Sequence, residues 1–154
     1  MIHVLFVCLG NICRSPMAEA VFRHLVDEAN LSSAITVDSA GLGGWHAGEA
    51  PHIGTQNVLQ EKGIAYDTLR ARQIVKSDFA KYDYIVCMDE ENLDGLKRLS
   101  PTAANVSRLL DFAHDVKERN VEDPYYTGRF EHVYQLVDAG CRGLLEKIRR
   151  EHGL

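Results

Sequence analysis

The sequence predicts an α/β fold: one domain built on a small four-stranded parallel sheet with helices on both faces. Three observations carry this. The chain has 154 residues, 45% hydrophobic and 25% charged, the size and balance of one globular domain. Short apolar segments rich in β-branched residues alternate along it with segments of helical periodicity. No internal repeat, low-complexity stretch or Pro/Ser-rich linker divides it. Strands that alternate with helices pair in parallel, and the connecting helices cover both faces of the sheet.

The elements follow in order. Ile2–Val7 is a short apolar run of the kind found in a strand buried on both faces. Ser15-Pro16 opens a helix, with Ser as N-cap and Pro at the first helical position. Met17, Val21 and Leu25 recur along it at i, i+4 and i+8, so that face packs inward. Ala34–Asp38 reads as a second strand, stopped by Gly41, Gly43 and Gly44. Pro51 opens a helix carrying Val58 and Leu59, and Gly63 closes it. Ile64-Ala65 carries a weak strand signal, and Tyr82–Cys87 a clear one. Asp89 then caps a helix marked by Leu93, Leu96 and Leu99, which ends before Pro101. Val106–Leu109 is a short strand, and the polar stretch 110–129, with Asp123-Pro124, reads as loop. Phe130, Val133, Tyr134, Val137, Cys141, Leu144, Leu145 and Ile148 trace one face of a final helix.

Composition narrows the function. The longest apolar run, Val4–Leu9, is too short to cross a bilayer. Met1-Ile2-His3 leads into it with no basic start and no small-residue cleavage site, so a secretory signal is not expected and a cytoplasmic location is. Lys and Arg number 17 against 22 Asp and Glu, a net charge of −5 that disfavours a nucleic-acid partner. Cys8, Cys13, Cys87 and Cys141 form no C-x2-C pair, and the seven histidines do not fall at ligand spacing with them, so no metal site is expected. Four cysteines in a chain this long suggest a reducing compartment rather than a disulfide framework. Cys87 and Cys141 lie on an apolar strand and an apolar helix face and read as core.

Ligands of parallel α/β sheets bind beyond the carboxyl ends of the strands, here the turns after Val7, Asp38 and Cys87. The first turn is Cys8-Leu9-Gly10-Asn11-Ile12-Cys13-Arg14-Ser15. A buried strand ends in a loop that runs into a helix N-terminus, so its amides can converge on an anion and the helix end adds positive potential. Gly10 permits close backbone approach, and Arg14 offers a planar fork for two phosphate oxygens. Cys8 stands where the same field stabilises a thiolate. The loop is not the nucleotide-binding type, which requires G-x4-G-K-[S/T].

This loop, followed by P-M-A-E-A-V-F, resembles that of the low-molecular-weight protein tyrosine phosphatases. V-D-S-A-G at 37–41, A-R-Q at 71–73, C-M-D at 87–89 and E-D-P-Y-Y at 122–126 match in order, so the resemblance spans essentially the whole chain, residues 1–154. It implies a flavodoxin-like sheet of the phosphotyrosine protein phosphatase I type. It also implies hydrolysis of tyrosine-phosphorylated proteins or peptides without metal or cofactor. Under it Cys8 attacks phosphorus, while Arg14 and the amides of Leu9, Gly10, Asn11, Ile12 and Cys13 hold the phosphoryl oxygens. Ser15 supports the Cys8 sulfur, Asn11 and Ser39 brace the loop, and Asp123 is the general acid and base, with Asp89, a helix cap near the site, as the main competing carboxylate. Leu9, Trp45 and Tyr125 wall the ring pocket, with Tyr126 beside them.

Many members carry a His two residues before A-R-Q, supporting the Asn–Ser network; here Leu69 stands there, which implies a smaller network. Three alternatives stand beside this reading. Protein-arginine phosphatases of the same group usually have Thr at the place of Ile12 and Asp-Pro-Phe in place of Asp-Pro-Tyr. Arsenate reductases of the same fold need resolving cysteines near residue 87, where only Cys87 stands. A phosphopeptide-binding module needs neither Cys8 nor Asp123. A reversible Cys8–Cys13 disulfide and phosphorylation of Tyr125 or Tyr126 remain open, and a monomer is expected.

Overall fold

Strand β1, Ile2–Cys8, lies in the interior of a four-stranded, all-parallel sheet of order β2-β1-β3-β4. The computed structural model describes all 154 residues. The other strands are β2 (Ile35–Gly41), β3 (Tyr84–Cys87) and β4 (Val106–Arg108). Helices α1 (Arg14–Glu28), α2 (Ile53–Glu61), α3 (Asp78–Lys81), α4 (Glu90–Leu99), α5 (Pro124–Thr127) and α6 (Phe130–His152) connect and follow them. None is long and apolar enough to cross a membrane.

The two-residue period of β1 divides the core. Val4, Phe6 and Cys8 enter the larger apolar cluster, formed with α1, α6 and Leu59. Leu5 and Val7 enter the smaller one, with Ile85, Cys87 and Leu96 of α4. The expected helices on both faces are therefore present, and Cys8 and Cys87 belong to opposite faces. The register aligns Cys8 with Gly41 and Val7 with Cys87, so the turns after three strands meet on one rim.

Several boundaries differ from the sequence expectation, each for a local reason. Strand β2 does not stop at Asp38 but runs to Gly41, because the Gly41 amide and carbonyl bond to Arg72 and Ile74. Ile64-Ala65 is not a strand: the Ile64 amide closes the end of α2 on Leu59, and its side chain enters the core. Tyr82 ends α3 instead of beginning β3. Leu109 begins a 3-10 turn, Leu109–Asp111, instead of ending β4. The stretch 110–129 holds the rest of that turn and α5. Helix α2 starts two residues after Pro51, with His52 as its cap accepting from the Gly54 amide.

The 3-10 turn presses its backbone against α6. A Cβ at Gly143 would stand 1.8 Å from the Phe112 carbonyl oxygen. Gly143→Ala should therefore destabilise the chain by about 1–3 kcal/mol through overpacking. That outweighs the gain of at most about 1 kcal/mol from helix propensity. Thermal unfolding should show Tm lowered by several degrees, and a raised Tm would mean the turn yields without cost.

Candidate active site

The turn after β1 is an open cradle of donors. None of the backbone amides of residues 9–15 donates to a backbone carbonyl, in a chain with 95 backbone hydrogen bonds. Buried amides left without partners are rare, so such a run marks a place built for an anion. Asn11 holds a left-handed backbone (φ 58°), a conformation Asn tolerates better than most residues. At the base of the cradle lies Cys8, buried, with its Sγ 3.0 Å from Ser15 Oγ.

Ser15 is not the N-cap that its place before Pro16 suggests. Helix α1 begins at Arg14, after Cys13, and the Ser15 hydroxyl is occupied on the other side. Asn11 Nδ2 donates to Ser15 Oγ at 2.7 Å and to Ser39 Oγ at 2.9 Å. Asn11 Oδ1 accepts from the Arg72 amide at 3.0 Å, which fixes the direction of the Asn11 side chain. Leu69 is buried in the larger apolar cluster. From Ser39 the network continues to Glu19, whose Oε1 accepts at 2.6 Å.

Arg14 is buried over the cradle. Its Nη1 donates to Asp89 Oδ2 at 2.6 Å and to the Val121 carbonyl at 2.9 Å. Nη2 meets only Asp123 Oδ2, as an ion pair at 3.5 Å. The Nε–Nη2 edge, the geometry that grips two oxygens at once, is thus left toward the pocket. Burial works against the Arg14 charge, but Cys8, Asp89 and Asp123 around it hold the guanidinium above its ordinary range.

The pocket has a volume of about 280 Å³. It is lined by Cys8, Leu9, Gly10, Ile12, Cys13, Arg14, Trp45, His46, Asp123, Tyr125 and Tyr126. Trp45 is 68% exposed and folds back over its own turn, where a Cβ at Gly43 would lie 2.0 Å from the indole. Tyr125 and Tyr126 are exposed and meet edge to face at 5.2 Å. Asp123 caps α5, its Oδ1 accepting from the Tyr125 amide at 3.1 Å. The preceding Val121 amide bonds to the Met88 carbonyl, and Glu122 is clamped by Arg129. Arg129, then Thr127, hold the Glu122 carboxyl down at about 2.

A profile of the low molecular weight phosphotyrosine protein phosphatases matches residues 3–153. The chain belongs to this family. It is 50% identical to the low molecular weight protein-tyrosine-phosphatase YfkJ of Bacillus subtilis, over all of both chains. The crystal structure of YfkJ superposes with a TM-score of 0.97, covering 99% of this chain and 97% of that one. PtpA of Staphylococcus epidermidis, also a low molecular weight protein-tyrosine-phosphatase, is 44% identical over all of this chain and 98% of its own length. The crystal structure of a Drosophila arginine phosphatase has a TM-score of 0.86 at 36% identity, covering 95% of this chain and 97% of that one.

In this phosphatase the structure gathers Cys8, Arg14, Asp123, Trp45, Tyr125 and Tyr126 around one pocket and places Asn11, Ser15 and Ser39 beneath it. Three contributors lie outside the expected site, and a fourth, Asp89, expected near it as a cap, has a further part. Asp89 is more than a helix cap, since Oδ1 takes the Asn92 amide and Oδ2 holds Arg14. The Val121 carbonyl acts through backbone and leaves no sequence signal. His46 lines the pocket, with Nδ1 3.0 Å from a Glu49 oxygen. Glu19 has a visible signal only in hindsight, because its partner Arg23 lies at i+4 on a face away from the Met17–Val21–Leu25 stripe. Cys87 and Cys141 are fully buried.

Proposed function

We propose that this chain hydrolyses phosphotyrosine in proteins and peptides through a phosphocysteine intermediate on Cys8. One observation carries the reading: a sulfur supported by a hydroxyl at the floor of a cradle of unpartnered amides, facing the free edge of Arg14. The Cys8 sulfur attacks phosphorus as the phosphorus–phenol oxygen bond breaks, and Asp123 gives its proton to the departing oxygen. The amides of residues 9–15 and Arg14 hold the three equatorial oxygens through the metaphosphate-like transition state. A water then attacks phosphorus, Asp123 takes its proton, and the S–P bond breaks as Ser15 donates to the returning thiolate. Arg14 supplies the positive charge, so no metal is called for in the sequence of steps.

An aromatic ring fits the wall of Leu9, Ile12, Trp45 and Tyr125, and Ile12 and Tyr125 favour phosphotyrosine over phosphoarginine. Every group named comes from one chain, so a monomer suffices, and residues 1–154 act as one catalytic domain. Four unpaired, buried cysteines support a reducing, cytoplasmic setting. A net charge of −5 supports protein substrates rather than nucleic acid.

The test is hydrolysis of para-nitrophenyl phosphate in EDTA, followed by phosphotyrosine and phosphoarginine peptides of one sequence. Activity without metal, inhibition by vanadate, and kcat/KM at least about tenfold higher for phosphotyrosine are expected. The reverse preference would move the assignment to phosphoarginine.

A further inference from the structure

Glu19 is a buried carboxylate, 6% exposed, that no step above uses. Its Oε2 accepts from Arg23 Nη2 at 2.6 Å, and the same nitrogen of Arg23 also donates to the Val37 carbonyl at 2.8 Å. Its Oε1 accepts from Ser39 Oγ at 2.6 Å. We propose that Glu19 is a positioning residue that sets the direction of the hydrogen-bond chain ending at the Cys8 sulfur, with Arg23 fixing the orientation of its carboxylate. This rests on Cys8 being the nucleophile.

Donors and acceptors along this chain leave one consistent arrangement of protons. The Arg72 amide occupies Asn11 Oδ1, so both Asn11 Nδ2 protons go to hydroxyl oxygens, one on Ser15 and one on Ser39. Each hydroxyl therefore accepts from Asn11 and must send its own proton elsewhere. Ser15 has the Cys8 sulfur at 3.0 Å, and Ser39 has Glu19. An ionised carboxylate can only accept, so it draws the Ser39 proton and leaves a Ser39 lone pair for Asn11. Asn11 is then free to hold Ser15 with its proton aimed at sulfur.

Burial pushes the Glu19 carboxyl up, while Ser39 and Arg23 hold it down and Asp38 raises it again. Arg23 and Asp38 are the charged groups facing it from α1 and β2, and Asp38 is itself tied to Arg72 and to the Tyr82 hydroxyl. Around Cys8 stand Cys13, Arg14, His46 and Asp123.

Glu19→Gln is the decisive substitution because it keeps the shape and breaks that arrangement. Arg23 can only donate, so it draws the oxygen of the new amide and turns its nitrogen toward Ser39. Ser39 then faces two donors, the new amide and Asn11, and its own proton has no acceptor left, so the hydroxyl shifts and holds Asn11 less firmly. The readouts are kcat and the pH midpoint of Cys8 alkylation by iodoacetamide, with the modified residue mapped by mass. Cys8 is read selectively, because burial above all holds Cys13 and Cys87 at about 12 and Cys141 well above its ordinary value.

The expected result is a midpoint about 0.5–1 pH unit higher and kcat down about tenfold. A through-space effect of charge predicts the opposite sign, since removing a nearby negative charge favours the thiolate. A midpoint that falls or stays in place overturns the proposal. Adding Arg23→Met to Glu19→Gln frees the amide to turn its oxygen to Ser39 and should recover at least half of the shift; no recovery also overturns it. If Glu19→Gln fails to fold, Ser39→Ala cuts the chain while keeping the carboxylate. It should raise the midpoint too, and an unmoved midpoint there counts against the proposal. Wild-type protein without hydrolytic activity would defeat the phosphatase reading itself, whereas an active wild type with an unmoved Glu19→Gln midpoint defeats only the relay.

Discussion

Cys8→Ser should abolish turnover of para-nitrophenyl phosphate, with kcat down by about 10⁴-fold or more while phosphate and vanadate still bind. The size follows from what the site is built to do. The amides of residues 9–15, the pocket-facing edge of Arg14 and the Ser15 hydroxyl are placed to stabilise negative charge at residue 8. A serine there keeps its proton, and Ser15 then donates toward an oxygen that is not charged. A loss of 10⁴ corresponds to about 5.5 kcal/mol of transition-state stabilisation. That is in keeping with the removal of a covalent nucleophile from a site whose remaining groups are intact. Binding should persist because Cys8 is only the floor of the cradle. Raised Tm in phosphate, measured for both proteins, checks this half of the expectation. Full activity in Cys8→Ser would refute the phosphocysteine route.

The same cradle shows what sequence reading reaches and where it stops. Residues 8–15 are legible because strand, glycine, arginine and helix start are contiguous, and each has a local physical meaning. Helix α6 is legible because 23 residues hold one apolar period. Helices α3 and α5 are not, since four residues contain one turn and no period. Ser15 misleads for an instructive reason. Its place before Pro16 suits a cap, but tertiary contacts with Cys8 and Asn11 claim its hydroxyl and the helix starts two residues earlier. Asp89 is legible as a cap but only in part as a neighbour of the site. A carboxylate has two oxygens, and the second reaches Arg14, 75 residues away in sequence. Contacts of that range have no sequence period to betray them. The same holds for the Val121 carbonyl, which any residue could supply.

Asp123→Asn should lower kcat/KM for phosphotyrosine peptides by about 10²–10³-fold, the usual scale for a positioned general acid. Asn is the informative replacement because it keeps the cap. Its oxygen can still accept from the Tyr125 amide, so α5 and the Tyr125 and Tyr126 walls stay in place. What it lacks is the proton. The loss must therefore depend on the leaving group. Across a series of aryl phosphates, the deficit in kcat/KM should grow as the phenol becomes more basic. It should be smallest for para-nitrophenol, which leaves readily without protonation. Removing the carboxylate also removes a partner facing Arg14 Nη2 at 3.5 Å, so phosphate affinity should hold or rise rather than fall. Asp89 supplies the control. Its two oxygens are committed to Arg14 and to the Asn92 amide, so it has none to present to a leaving group. Asp89→Asn should weaken all substrates alike by loosening Arg14. A uniform loss in Asp123→Asn, or a graded one in Asp89→Asn, would move the acid role away from Asp123.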